Sequence, residues 1–307
     1  MDAPDHAGIS ETDPLLRTRA IDENTLTGPP PTNWHEFKHP KLRQFPGHGA
    51  RIKWLKYLGC GSEGIVFKAR FGDGDPVAVK VFWLTLRPRY QCPMGKFKYD
   101  TWPFEHESRN VALMEKIRWV MSNTGTNPNG SFKIREGPKT RYDALRNLYS
   151  FSDESRQSAQ TSTRQGVTDA PPFPPLPKCF GWMRIQRDQV PHVRPHVEGL
   201  VNDDVDWHWA TIYEFVPGRT QDLVVGQAHL DFFYAMGFSV QPYKPNNWHG
   251  GRLVDCNDIS TAVSGAWHPT FVHDFEAQEY FWTLKHTLDG AMPHSIVRPP
   301  KHAGKKA

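Results

Sequence analysis

The sequence predicts an α+β protein in which an antiparallel sheet comes first and a smaller set of helices follows. Three observations carry this. Residues 51–83 hold three β-branched and aromatic stretches, separated by a glycine-rich loop and the turn Gly72-Asp73-Gly74-Asp75-Pro76. Residues 178–185 and 207–215 return to the same strand-like composition. Residues 103–117 and 230–236 instead place apolar side chains at helical spacing. At 307 residues and 38% hydrophobic content, the chain is long enough to bury one large core or two lobes.

Residues 1–45 are polar and broken by Gly28-Pro29-Pro30-Pro31, a composition that predicts a disordered tail, so folding is expected from residue 46. Residues 52–58 read as the first strand. Gly59, Gly61 and Gly64 then form GxGxxG, with Val66 two residues later and a second strand over 65–71. A third strand over 77–83 carries Ala78 and Lys80. Glycines let a backbone approach phosphate without Cβ collisions, and a buried lysine neutralises part of the phosphate charge. In a dinucleotide-binding unit the same glycines would open a helix. The strand that follows them here argues against that reading.

The order strand, glycine loop, strand, turn, and a strand closing on Val77-Ala78-Val79-Lys80 resembles the nucleotide-clamping hairpin of the protein kinases. The resemblance implies a bilobal protein-kinase-like fold, with an antiparallel-sheet N-lobe over 46–218 and a shortened helical C-lobe over 219–290. It implies ATP held by Gly59, Gly61, Gly64, Val66, Ala78 and Lys80, with Mg2+ as the accompanying metal. The helix after the sheet then supplies a glutamate to pair with Lys80. Glu107 is preferred, because Val111 and Met114 lie four and seven residues on, along its side of the helix; Glu105 is the alternative. Residues 210–218 correspond to the interlobe hinge. There the Glu214 carbonyl and Val216 amide would meet the adenine edge, with Tyr213 at the back of the pocket.

Residues 122–170 are rich in Ser, Thr, Asn, Arg and Gly and read as a disordered insertion with one short helix near 142–149. The proline-rich stretch 171–177 reads as a stiff re-entry linker. Beyond the helical run 230–236, Lys244-Pro245 and Asn247 fall in register with the kinase pattern HRDLKPxN. Pro242 then stands where the catalytic aspartate should be, and proline cannot act as a base. Asp231 and Asp258 are the carboxylates left to take that role. His229-Leu230-Asp231 only superficially resembles HxD, since it lies before the helical run rather than after it and no asparagine follows at five residues. Residues 252–255 form an apolar strand ending in Asp255, after a hairpin turning at Gly250-Gly251. Asn247 and Asp255 are the expected metal ligands, because a hard cation needs only one or two such oxygens beside phosphate. Residues 272–284 read as the last helix, and 291–307 as a basic disordered tail.

Gly237-Phe238, Lys244-Pro245-Asn246-Asn247-Trp248 and Gly251-Arg252-Leu253-Val254-Asp255 more closely resemble a kinase-like family of filamentous fungi that includes a kinetochore subunit, the Fta type. Three functions follow in order. A pseudokinase would bind ATP weakly and act through protein partners, at a kinetochore or another scaffold. An active divergent protein kinase would transfer phosphate with a substitute carboxylate. A structural adaptor would bind no nucleotide. Net charge of +4 is too dispersed for a specific nucleic-acid signal. No apolar run reaches the roughly 20 residues of a membrane helix, and the N-terminus lacks signal-peptide features. Cys60, Cys92, Cys179 and Cys256 are widely spaced, with no metal-site or disulfide pattern. That predicts an intracellular protein, nuclear or cytoplasmic.

Overall fold

In chain order the molecule forms β1 (Ile21–Thr25), α1 (Trp34–Lys38), β2 (Leu42–Gln44), β3 (Ile52–Cys60), β4 (Gly64–Phe71), β5 (Val77–Phe82) and α2 (Pro103–Ser122). There follow β6 (Lys133–Arg135), α3 (Arg141–Tyr149), α4 (Asp153–Gln157), β7 (Val167–Asp169), β8 (Cys179–Gln186), β9 (Trp207–Glu214) and α5 (Leu223–Met236). Four two-residue strands close the series: β10 (Ser239–Val240), β11 (Trp248–His249), β12 (Arg252–Leu253) and β13 (Ile259–Ser260). This computed structural model describes residues 19–86, 102–123, 131–158, 166–191, 205–218, 222–240, 247–265 and 267–281. The architecture is α+β, with a seven-stranded, mostly antiparallel sheet in the order β1-β2-β8-β9-β5-β4-β3.

Alternation along β5 decides what each face of the sheet does. Val77, Val79 and Val81 point one way and join Ile65, Phe67, Ile212 and Met183 in a dry cluster. Ala78, Lys80 and Phe82 point the other way, toward α2, where Phe82, Trp182, Trp209 and Tyr213 pack with Phe104 and Val111 of the helix. Phe104 stacks on Trp209 at 4.5 Å between ring centres. Trp102, just before the helix, donates its indole N–H to the Leu84 carbonyl at 2.8 Å. Pro103 occupies the first helical position, where its missing N–H costs nothing. The start of α2 is therefore fixed against the end of β5.

Against the expectation of a disordered tail over 1–45, residues 19–44 carry β1, α1 and β2. Three of the few apolar residues there, Ala20, Phe37 and Leu42, are fully buried. The polar ones find partners rather than water. Arg43 pairs with Glu115 of α2 and donates to the Thr27 carbonyl at 2.8 Å, and buried Lys116 donates to the Pro31 carbonyl at 2.8 Å. β2 lies against β8 because Gly181, at φ +116°, has no Cβ to meet the Arg43 carbonyl at 2.6 Å.

The expected insertion over 122–170 is likewise ordered where it is described. α3 matches the one helix foreseen, and β6, α4 and β7 accompany it. Its apolar residues are sparse but one-sided. Phe132, Ile134, Ala144, Leu148 and Phe151 share a single core with Leu230, Phe232, Phe233 and Met236 of α5. Asn147 ties the parts together by donating to the Arg135 carbonyl at 3.0 Å and the Ala235 carbonyl at 2.8 Å. The segment thus belongs to the helical half of the molecule. β11 and β12 form the expected hairpin about Gly250-Gly251. Of the final expected helix only 277–281 is helical among described residues, with Tyr280 buried and Phe275 and Phe281 packed beside it. The tail 291–307, and Pro242, Lys244 and Pro245, lie outside the described residues. Among the described residues no helix is long and apolar enough to cross a membrane.

His229 of α5 is fully buried between Trp248 and Phe233, its Nδ1 bonded to the Val225 carbonyl at 2.9 Å. Burial lowers its pKa from the ordinary 6.5 to about 4. The unfolded chain therefore takes up this proton first. Stability that is complete above pH 6.5 falls as pH drops toward 4, by about 3 kcal/mol for this group. Thermal melts between pH 7.5 and 4 should show His229→Gln losing less stability than wild type. Equal losses would exclude His229 as a source.

Candidate functional site

The site is built on the face of the sheet that α2 covers. Cross-strand pairing lines up Gly59 with Val66, Val66 with Lys80 and Lys80 with Thr211. Ala78 pairs with Tyr213 one step along the same face. Gly64 is demanded by packing, since a Cβ there would meet the Val81 carbonyl at 2.2 Å. Gly59 and Gly61 have open space where a Cβ would stand. The loop from Gly61 to Gly64 is held down by Trp83, whose backbone N–H reaches the Glu63 carbonyl at 3.1 Å and whose indole reaches the Gly61 carbonyl at 2.9 Å.

Lys80, only 7% exposed, lies among three carboxylates. Its Nζ is 2.5 Å from Glu107, 2.8 Å from Asp255 and 3.4 Å from Glu63. Burial alone would pull this ammonium down, but the charges of Asp255, Glu107 and Glu63 outweigh it and hold its pKa well above the ordinary value. Glu107 receives four donors. Lys80 and Asn257 Nδ2 (2.8 Å) meet Oε2, while Thr211 Oγ1 (2.9 Å) and Tyr213 OH (2.6 Å) meet Oε1. Burial raises the Glu107 pKa and Lys80 opposes the rise. The converging donors also favour the carboxylate form over the protonated acid. Glu105, the alternative partner, instead pairs with Arg109 one turn on at 2.6 Å.

Asp255 follows β12 and caps the short 3-10 turn Cys256–Asp258, accepting from the Asn257 N–H at 3.0 Å. α2 anchors that turn as well as Glu107. Asn110 donates to the carbonyls of Cys256 (2.8 Å) and Ile259 (2.7 Å), and His106 Nε2 lies 2.9 Å from the latter. Asn247 joins the two downstream acids, donating to Asp258 at 2.7 Å and Asp255 at 3.3 Å. Turning its amide over would give up these bonds and present an oxygen beside Asp255, and only then would the pair offer hard oxygens to a divalent cation.

The expected residues thus fall into two groups. Lys80, Glu107 and Asp255 meet directly, Asn247 touches Asp255, and Gly59, Val66 and Ala78 lie on the same sheet face. Asp231 is not brought in: it lies on the exposed side of α5 and accepts from Gln227 at 2.6 Å. Asp258 is 1% exposed and bonded to Asn247, which leaves it poorly placed to serve as a base for an outside hydroxyl. Glu214 ends β9, its N–H bonded to the Lys178 carbonyl at 2.8 Å, and Val216 lies half-buried in the loop beyond. Sequence reasoning missed Glu63, Thr211 and Asn257. Glu63 carried a signal, a lone acid inside a loop suited to anions, whereas Thr211 and Asn257 acquire meaning only from the register. No protein-family model matches the chain, and a search of curated proteins finds no match.

Proposed function

We propose that this chain is a protein-kinase-like nucleotide-binding protein that acts as a pseudokinase, through protein partners. The observation that carries the reading is Lys80 on a central strand, bound at once to Glu107 from the covering helix and Asp255 from the turn. In kinases such a lysine must be paired with the helix glutamate for phosphate to be held productively. The sheet order around β5, with β4 and β3 on one side and β9 and β8 on the other, supports a bilobal kinase-like fold. Lys80 would meet the nucleotide phosphates, and Asp255 with Asn247 would hold Mg2+, which supplies positive charge to those phosphates when bound. Glu214 and Val216 would meet the adenine edge. The fungal resemblance extends this reading to an intracellular scaffold role such as a kinetochore.

Transfer chemistry lacks its base. Pro242 cannot accept a proton, Asp231 faces solvent, and Asp258 is buried on Asn247. The purified chain with γ-labelled Mg-ATP should therefore label neither itself nor added protein above the level of Lys80→Met. Turnover near 1 s⁻¹, within the range of ordinary kinases, and lost in Asp255→Ala would replace the pseudokinase reading with an active, divergent kinase. The adaptor reading has one specific support: Glu63 occupies a position on Lys80 that a phosphate would need.

A further inference from the structure

Between α1, the segments before β1 and β2, and α2, five basic side chains line one cavity of about 530 Å³. Arg19 precedes β1, His35 lies on α1, His39 caps it, Lys41 precedes β2, and Arg109 reaches in from α2. The rings of His35 and His39 are 4.9 Å apart. Arg109 alone of the five has an acid at ion-pair distance among the described residues, Glu105 at 2.6 Å. The nearby Glu36 instead faces Lys116, at 3.7 Å. Burial, with the positive charge of His35, Lys38 and Arg109, pushes His39 below its ordinary pKa, against a smaller upward pull from Glu36.

We propose that this cavity is a phosphate-binding site for a phosphorylated side chain of a protein partner. A phosphate dianion matches the surplus of donors better than a carboxylate, because arginine forks and several N–H groups can each take a separate oxygen. The basic side chains converge on one hollow instead of running as a stripe, which favours a single phosphate over a nucleic-acid backbone. The hollow also leaves room for the residue that carries the phosphate. Occupancy would tie Arg19 and Lys41 of the N-terminal segment to Arg109 of α2. The site does not depend on the nucleotide reading.

The test is fluorescence anisotropy of a labelled Gly-Gly-phosphoserine-Gly-Gly peptide at about 50 mM salt, where charge contacts are least screened. The phosphopeptide should bind the full chain at least about tenfold more tightly than its serine counterpart. Arg109→Gln with Lys41→Gln should erase that preference, whereas Lys133→Gln, an exposed lysine elsewhere, should not. Glu105→Gln frees Arg109 and should tighten binding, an effect that misfolding would not produce. Four results would overturn the proposal: equal binding of both peptides, a preference surviving the double substitution, inorganic phosphate competing as strongly as the phosphopeptide, or a single-stranded oligonucleotide binding more tightly.

Discussion

Lys80→Met is expected to destabilise the protein by about 3–5 kcal/mol at neutral pH, the cost of leaving a buried ion without its partner. Glu107 is fully buried, and Asp255 and Glu63 share the same ammonium. Losing it leaves the buried Glu107 carboxylate, with Asp255 and Glu63 beside it, facing no cation. Burial already raises the Glu107 pKa, and in the variant no cation opposes the rise. A carboxyl whose folded pKa is raised favours folding at low pH and opposes it once pH climbs past the unfolded value. The deficit should accordingly shrink as pH falls from 7 to 5. Lys80→Met combined with Glu107→Gln should recover much of the loss, because the neutral amide can stay buried on Thr211 and Tyr213. Urea denaturation of the two single variants and the double variant measures the coupling. A loss below about 1 kcal/mol at pH 7 would mean that the ion pair behaves like one on the surface.

Glu63→Gln is expected to strengthen Mg-ATP binding by about tenfold, or roughly 1.4 kcal/mol. In the wild type the Glu63 carboxylate lies 3.4 Å from Lys80 and accepts from Asn257 Nδ2 at 2.8 Å. An incoming phosphate must displace this anion and then share the lysine with Glu107 and Asp255. The amide keeps the hydrogen bond to Asn257 but neither attracts Lys80 nor repels phosphate. A quarter of the Glu63 side chain is exposed, so the substitution leaves the core undisturbed. Unchanged or weaker binding would show that Glu63 does not compete for the lysine.

The hairpin that carries the glycines and Lys80 was legible because period-two alternation and the Gly72–Pro76 turn are local signals. Glu107 was legible for a related reason: Val111 and Met114 marked the buried stripe of α2, and Glu107 falls on it. Residues 19–44 and 131–158 were misread because their order depends on distant partners. Phe37 and Leu148 lie in segments that are mostly polar, and both are buried in the core shared with α2 and α5. Polar composition misleads where Arg43, Lys116 and Asn147 spend their side chains on backbone carbonyls. The support beneath Glu107 was invisible for the same reason. Thr211 reaches it because β9 pairs with β5 in one particular register, and Asn257 because Asn110 pins the turn to α2.

Calorimetric titration of Mg-ATP into the wild type and Glu63→Gln tests the central claim, that the Lys80 cluster is a nucleotide site. The account predicts saturable one-to-one binding to both proteins, tighter in Glu63→Gln and abolished by Asp255→Ala in a chain that remains folded. No binding to either protein at millimolar nucleotide would contradict it and leave Lys80, Glu107 and Asp255 as a structural ion cluster.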